Sequence, residues 1–142
     1  IARYAASTKL PFIAKGILSV TDALKARDAG CKGIVVSHHH GRIPFGIPPT
    51  AILPDIKKAL EGSGVAIFCD CGIDTGYDAY KALALGADTV AVGRGILAPL
   101  LKEGTDGVVK KVKKMNEQLK ELMMYTNIAD TGSFDRCVIH NK

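Results

Sequence analysis

The chain has 142 residues, 47% of them hydrophobic and 23% charged, which suits one ordinary domain with its own core and excludes global disorder. The net charge of +5 is mildly basic, and the lysine cluster at 110–114 has no interleaved aromatic residues, which favours a solvated helix face over an anion- or nucleic-acid-binding surface. No apolar run approaches the ~20 residues that cross a bilayer, and the first residues lack a secretory leader, so we expect a cytoplasmic protein without membrane or nucleic-acid partners.

The first half of the chain alternates between strand and helix patterns. "LPFIAKG" is a short apolar run that predicts a strand, and "SVTDALKARDAG" predicts a helix with Ser19 as N-cap and Gly30 at its end. "CKGIVVSH" predicts the second strand. "PTAILPDIKKALEGSG" predicts the second helix, with Thr50 as the candidate cap and Pro54 in its first turn, where a missing N–H costs little.

The second half continues the alternation. "VAIFCDCG" predicts a third strand, "DTGYDAYKALALG" a third helix ending on glycine, and "DTVAVGR" a fourth strand. Apolar residues at three- and four-residue steps then predict a long helix over 105–125 with one core-facing stripe. The last segment, from residue 127, has no clear period, and we expect an irregular tail in which "CVIH" is extended.

The four cysteines are expected to be free thiols in a reducing compartment. Cys69 and Cys71 stand two residues apart in the third strand, so they would share one face of it. A metal pair is conceivable there, but two ligands without clear partners are weak support for it.

Four apolar strands, each followed by a helix, predict an α/β fold with parallel strands buried on both faces. Polar residues collect where these strands end, at Lys15, at Ser37 to Arg42, at Asp70 and at Arg94. Because α/β folds bind ligands at the carboxyl ends of their strands, these residues are the candidate site.

Three stretches, "LPFIAKGI", "GIVVSHHHGR" and "FCDCGIDTGYDAYKALALGADTVAVGR", resemble the C-terminal half of the FMN-dependent α-hydroxy-acid dehydrogenase and oxidase family, which includes glycolate oxidase and lactate oxidase. The resemblance implies a (β/α)8 TIM barrel, of which residues 1–142 would form one domain with about four βα units, a half-barrel, and the C-terminal helix. Because the chain starts within what reads as a helix, we expect a piece of a longer protein. It would pair with the N-terminal half of the barrel or with itself, as a homo-oligomer.

The resemblance also implies roles for the strand-end residues. Lys15 would lie beside the flavin N1–O2 edge, with Ser37 nearby in the FMN site. His39 would be the catalytic base, which suits an imidazole that titrates near neutral pH. Arg42 would hold the substrate carboxylate with its planar fork of N–H donors.

The remaining implied roles fall on the third and fourth strand ends. Asp70 would orient groups beside the substrate arginine, Gly72 would contact FMN, and Gly93 with Arg94 would cradle the FMN phosphate. Lys15 could instead be an ordinary surface lysine, and Asp70 could be an ordinary turn residue at the end of its strand.

The chain departs from the family pattern at five positions. His38, His40 and Ile43 replace asparagine, glycine and glutamine, and Cys71 replaces glycine. Asp74 replaces an arginine, which puts an anion beside the phosphate site, although it could instead cap the next helix. The three consecutive histidines also allow a metal or a structural reading, but neighbouring side chains diverge, so at most two would bind one ion without strain.

The sequence therefore predicts FMN-dependent oxidation of a small L-2-hydroxy acid, such as lactate or glycolate, to a 2-oxo acid, with no metal. We expect the isolated chain to bind little FMN and to be inactive. Two alternatives stay open: another FMN barrel such as a type 2 isopentenyl-diphosphate isomerase, and a non-catalytic half-barrel scaffold.

Overall fold

The computed structural model describes residues 1–139, and within them the strands and helices alternate as the sequence predicts. The elements are α1 (Ala2–Ala6), β1 (Ile13–Ile17), α2 (Val20–Asp28), β2 (Gly33–Val36), α3 (Pro49–Ala59), β3 (Ala66–Cys69), α4 (Gly76–Ala84), β4 (Thr89–Val90) and α5 (Leu97–Tyr125), with 3-10 turns at Arg94–Ile96 and Arg136–Val138.

The four strands form one parallel sheet in the order β1-β2-β3-β4. Each strand therefore pairs with the next one along the chain, and all four carboxyl ends lie at the same edge. The register between β1 and β2 shifts between Lys15 and Ile17, where Gly16 adopts a φ of 95°. This bulge turns the end of β1, a common device beside functional sites.

The core lies between the sheet and its helices, and it uses only one face of the strands. Ile34, Val36, Ile67 and Cys69 are buried on that face and belong to one cluster with residues of α2, α3 and α4. On the other face, side chains such as that of Ile13 remain partly exposed. The prediction of strands buried on both faces is therefore wrong for the described residues, because their helices cover only one side.

Cap chemistry determines where α2 begins, as predicted. The Ser19 Oγ accepts a hydrogen bond of 3.0 Å from the backbone N–H of Asp22, which satisfies one of the free donors of the first turn. The helix ends at Asp28, and Gly30 follows with a φ of 87°, a conformation that a glycine adopts without steric cost.

The predicted start of α3 is wrong. Pro48 occupies the N-cap position and Pro49 begins the helix, so Thr50 lies inside the first turn and caps nothing. Proline is favoured at this first position because its fixed φ suits a helix and its missing N–H would have no partner there. Pro54 consequently falls in the second turn, not the first, and leaves one carbonyl of the first turn without its helical donor.

A capping box begins α4. The side chain of Thr75 accepts from the N–H of Asp78, and the Asp78 carboxylate accepts from the N–H of Thr75 at 2.8 Å. The hypothesis that Asp74 caps this helix is therefore wrong. Its neighbour Thr75 has the extended backbone that an N-cap needs, with φ −132° and ψ 165°.

The last helix is longer than predicted and is kinked. It begins at Leu97 and ends at Tyr125, but Gly104 interrupts it with φ 61° and ψ −144°, so that the helix predicted over 105–125 is the part after this kink. Of the apolar stripe, Met115 is buried, whereas Val112 is 44% exposed. In the lysine cluster, the Lys110 ammonium pairs with Glu103 across the kink at 2.6 Å.

The tail after α5 is irregular, but the prediction of an extended "CVIH" is wrong where it can be compared. Arg136–Val138 forms a 3-10 turn, and His140 lies outside the described residues. Phe134 packs edge-on against Tyr80 of α4, with ring centroids 5.1 Å apart.

Between residues 1 and 139, no helix has the length and hydropathy required to span a bilayer.

Candidate functional site

A cavity of about 400 Å³ opens at the carboxyl edge of the sheet. The ends of all four strands contribute to its lining. The sequence-predicted residues that line it are Lys15, His39, Arg42, Asp70, Gly72, Gly93 and Arg94. Ser37 is fully buried and lies in contact with this group. The structure therefore brings the whole predicted set to one place, because parallel strands deliver their carboxyl ends to one edge.

Lys15 links the ends of three strands. Its Nζ lies 2.7 Å from Asp70 Oδ2 and donates a 2.8 Å hydrogen bond to Ser37 Oγ. Burial raises the pKa of Asp70, but the hydrogen bonds from Cys71 and Lys15 and the charge of Lys15 outweigh it, so the net pKa lies below its usual value. The pair therefore places a held cation and an ionised carboxylate at the cavity at neutral pH.

His39 lies against the bulge in β1. Its backbone N–H donates to Ser37 Oγ at 3.2 Å, and its own φ is 52°. The imidazole packs so closely over Gly16 that any side chain there would collide with Nε2. In the sequence, Gly16 is the last residue of the apolar run "LPFIAKG", which predicts a strand but not this contact. Its position directly after Lys15 was the available signal, since an isolated glycine in a strand pattern indicates a bulge or a close approach.

The three histidines have different environments. His38 Nδ1 accepts a 2.9 Å hydrogen bond from the N–H of Gly41, which closes the turn that presents Arg42. His39 and His40 both line the cavity, and the backbone N–H of His40 points at the Cys71 sulfur at 3.2 Å. Through residue 139, no group of three or more His, Cys, Asp or Glu side chains is arranged to hold a metal ion.

Cys69 and Cys71 do not share a face, contrary to the prediction. Cys69 is fully buried in the core, where burial above all raises its pKa to about 12. Cys71 lies two residues beyond the end of β3, has a φ of 69° and lines the cavity. Its Sγ donates to Asp70 Oδ1 at 2.9 Å. The strand ends at Cys69, so strand alternation does not extend to Cys71.

The far end of the cavity is built from glycines and one cation. A Cβ built on Gly72 or Gly93 would meet no heavy atom within 4 Å, so both residues border open space. Arg94 follows in a short 3-10 turn that leads into α5. Asp74 also lies at this end, because a Cβ on Gly95 would lie 2.5 Å from its Oδ1. Lys111 of α5 donates to the carbonyl of Asp74 at 2.6 Å, not to its carboxylate.

The fold and the cavity define an α/β protein of the TIM-barrel class, with a ligand site that combines cations, a histidine and glycines at the carboxyl ends of parallel strands. The chain belongs to the FMN-dependent dehydrogenase family, whose model matches residues 1–141. Both the predicted family and the predicted fold class, about four βα units of a barrel with a C-terminal helix, are confirmed.

Curated relatives of known activity are similar over most of this chain. It is 40% identical over 132 residues to the 4-hydroxymandelate oxidase of Amycolatopsis orientalis, covering 92% of this chain and 37% of the relative. It is 39% identical over 133 residues to 2-hydroxyacid oxidase 1 of Homo sapiens, covering 93% and 36%. For the L-lactate oxidase of Lentilactobacillus hilgardii the identity is 44% over 124 residues, covering 87% and 33%. The chain thus spans about a third of the length of these relatives.

Solved structures of mandelate oxidase have the same fold. The complex with (S)-4-hydroxymandelic acid superposes with a TM-score of 0.90 at 39% identity, covering 95% of this chain and 38% of that one. A variant with a monooxide FMN adduct gives the same TM-score and identity, covering 95% and 43%.

The residues at the cavity fit FMN, the cofactor of this family. Gly72 and Gly93 border open space into which a ligand can approach the backbone closely. Arg94 and Lys15 also line the cavity, where the first could hold a phosphate and the second could stabilise an electron-rich ring edge. Two carboxylates line the cavity: Asp70 is paired with Lys15, whereas Asp74 lies at the end with the glycines, where its charge would oppose a phosphate.

Proposed function

We propose that this chain supplies flavin- and substrate-binding residues to an enzyme that oxidises a small L-2-hydroxy acid to the 2-oxo acid. The observation that carries the proposal is the convergence of Lys15, His39, Arg42 and Asp70 on one cavity whose far end is the glycine and Arg94 cradle. The similarity to 2-hydroxyacid, lactate and mandelate oxidases supports the same substrate class.

The cofactor-binding residues divide between the two ends of the cavity. Gly72, Gly93 and Arg94 would hold the FMN phosphate, because close backbone approach and a guanidinium suit an anion. Lys15 would supply a cation to the flavin ring, and its ammonium is kept in place by Asp70 and Ser37. When bound, FMN accepts the two electrons that leave the substrate, and a fixed cation favours the negative charge that results.

The substrate-handling residues are His39 and Arg42. Arg42 grips the substrate carboxylate with two parallel N–H donors, which orients the α-carbon. His39 takes up the proton that leaves the substrate, because an imidazole is a competent base near neutral pH. Its ring is held over Gly16, so it enters the reaction already oriented. Asp70 acts through Lys15, since its carboxylate keeps that ammonium at the cavity.

The sheet edges suggest how the site is completed. Within the described residues β1 and β4 each pair with only one other strand, and Leu10 beside β1 is 76% exposed. We propose that these edges pair with further strands of the barrel or with a second copy. Strand pairing would satisfy the unpaired backbone N–H and C=O groups of an edge strand, and contact with a partner would bury the exposed apolar residues.

The decisive experiment uses the full-length protein that contains this chain. Purified anaerobically with FMN, it should be yellow and should bleach when lactate, glycolate or mandelate is added, whereas a His39→Gln variant should bind FMN but not bleach. Failure of every 2-hydroxy acid to bleach a flavin-loaded protein would overturn the oxidase proposal. Bleaching of the His39→Gln variant at the wild-type rate would overturn the role of His39 as base.

The second candidate is a non-catalytic half-barrel scaffold, and Asp74 favours it. Its carboxylate lies at the end of the cavity where a phosphate would bind. Two like charges brought together there repel each other. A full-length protein that folds normally, yet binds no FMN at micromolar concentrations, would support the scaffold. Stoichiometric FMN that a 2-hydroxy acid bleaches would exclude it.

A further inference from the structure

Four polar side chains at the cavity form a closed ring of hydrogen bonds. Lys15 Nζ donates to both Ser37 Oγ and Asp70 Oδ2, at 2.8 and 2.7 Å. Cys71 Sγ donates to Asp70 Oδ1 at 2.9 Å and lies 3.5 Å from Ser37 Oγ. The ring joins the ends of β1, β2 and β3, and Ser37 and Asp70 are connected on one side by Lys15 and on the other by Cys71.

The donor and acceptor inventory sets the direction of these bonds. Ser37 Oγ already accepts from Lys15 and from the backbone N–H of His39, so its single hydrogen is available to the Cys71 sulfur. The thiol hydrogen then goes to the Asp70 carboxylate, which has no hydrogen of its own when ionised. The same sulfur also accepts from the N–H of His40 at 3.2 Å. Cys71 thus binds Asp70 and the histidine segment at once.

Backbone strain marks the same positions. His39, His40 and Cys71 have φ values of 52°, 56° and 69°, in the left-handed region that side chains other than glycine rarely adopt. A glycine at position 71 would relieve this strain, yet a cysteine is present. Strained residues that are held by several contacts cluster at functional sites.

We propose that Cys71 is a positioning residue for the reaction: its thiol fixes the Asp70 carboxylate against Lys15 and ties the backbone of His40, next to His39, to the end of β3. This rests on the proposed function of the site. Cys71 does not touch the reacting atoms; it acts through Asp70 and through the segment that carries His39. Its raised pKa, caused first by burial and then by the bond to Asp70, keeps the S–H donor at neutral pH.

The test compares Cys71→Ala, Cys71→Gly and Cys71→Ser in the full-length protein, with Cys137→Ser as the control at an exposed cysteine outside the cavity. Alanine and glycine remove a hydrogen bond to a charged group, so kcat/KM should fall on the order of tenfold in both. Serine keeps a donor and an acceptor and should restore most of this loss. Cys137→Ser should leave kcat/KM unchanged.

Two readouts separate positioning from a merely structural role. Glycine tolerates the left-handed backbone better than alanine, so Cys71→Gly should melt at a higher temperature than Cys71→Ala although both lose the same activity. Loss of the thiol donor should also raise the pKa of Asp70, because its ionised form then has one hydrogen bond fewer, and the pH titration of its carboxylate infrared band measures this change. The other charged or titratable groups at the cavity stay the same in every variant: Lys15, His39, His40, Arg42, Asp74 and Arg94.

The proposal is overturned if Cys71→Gly keeps the wild-type kcat/KM and the wild-type pKa of Asp70, or if activity in the three variants simply follows melting temperature. A second measurement does not depend on activity. The infrared S–H band of Cys71, isolated by subtracting the Cys71→Ser spectrum, should be shifted as for a thiol bonded to a carboxylate, and Asp70→Asn should weaken that shift. A free-thiol band would show that the ring of hydrogen bonds does not form and would overturn the proposal. A shifted band in a protein that oxidises no 2-hydroxy acid would instead contradict the proposed function and leave the ring intact.

Discussion

The imidazole of His39 occupies the space that a side chain on Gly16 would need, since a Cβ built there would lie 2.8 Å from Nε2. The contact joins the bulge of β1 to the segment after β2. It therefore makes the orientation of the proposed base depend on a residue with no side chain.

Gly16→Ala should accordingly damage activity more than stability. The φ of 95° costs an alanine about 1–2 kcal/mol, and the displaced imidazole should lower kcat roughly 10²-fold. Gly62→Ala is the matched control, because Gly62 also has a positive φ, 69°, but its added Cβ would contact nothing. Steady-state kinetics and thermal melts of both variants check this, and equal kcat values in the two would contradict it.

Removing the charge of Asp74 should strengthen FMN binding. A carboxylate close to a phosphate in partly aqueous surroundings costs on the order of 1 kcal/mol, so Asp74→Asn should lower the Kd of FMN about fivefold. Riboflavin, which has no phosphate, should bind equally well to both proteins. The measurement is quenching of flavin fluorescence on titration with protein.

The control for that titration is Asp55→Asn, which removes an exposed carboxylate from α3, outside the cavity. It should leave both flavin affinities unchanged. If Asp74→Asn improves riboflavin and FMN alike, the effect is not electrostatic at the phosphate.

The lowered pKa of Asp70 predicts a pH-dependent contribution to stability. Because its pKa is lower in the folded than in the unfolded state, the ionised group stabilises the fold above about pH 4, and this contribution disappears as the pH falls through the folded-state pKa. Asp70→Asn should therefore cost about 1 kcal/mol at pH 7, a value reduced by the partial exposure of Lys15, and much less near pH 3. Urea denaturation at the two pH values measures the difference. Asp106→Asn, at an exposed position on α5, should show no such dependence, and a pH-independent cost for Asp70→Asn would refute the linkage.

The caps of α3 and α4 lead to opposite expectations for two threonines. Thr75→Ala breaks the capping box and should lower the free energy of unfolding by about 1 kcal/mol. Thr50→Ala, at the position first predicted to be a cap, should change it by less than about 0.5 kcal/mol, because Thr50 lies within the helix and makes no cap bond. Chemical denaturation of both variants is the check, and a larger loss for Thr50→Ala would contradict the observed start of α3.

Local patterns were sufficient for the order of elements and for the edge at which the site forms. Apolar runs and helical periodicity predicted four parallel βα units, and polar residues after each run predicted the strand-end site. Local chemistry also predicted the Ser19 cap, because a cap involves residues only three positions apart. The same local reasoning predicted the wrong N-cap at Thr50. The helix begins at the adjacent prolines instead, because the backbone preference of proline for the first helical position is stronger.

By itself, then, the sequence determined the fold class, the family and the set of residues that meet at the cavity, since these depend on hydrophobic period and on motifs within short stretches of chain. Only the tertiary structure decided that Gly16 makes room for His39, that Cys69 and Cys71 separate into core and cavity, and that Cys71 closes a ring with Lys15, Ser37 and Asp70. The physical reason is that these contacts depend on a register shift, on several left-handed residues and on hydrogen bonds between residues 22 and 34 positions apart, none of which a local sequence pattern encodes.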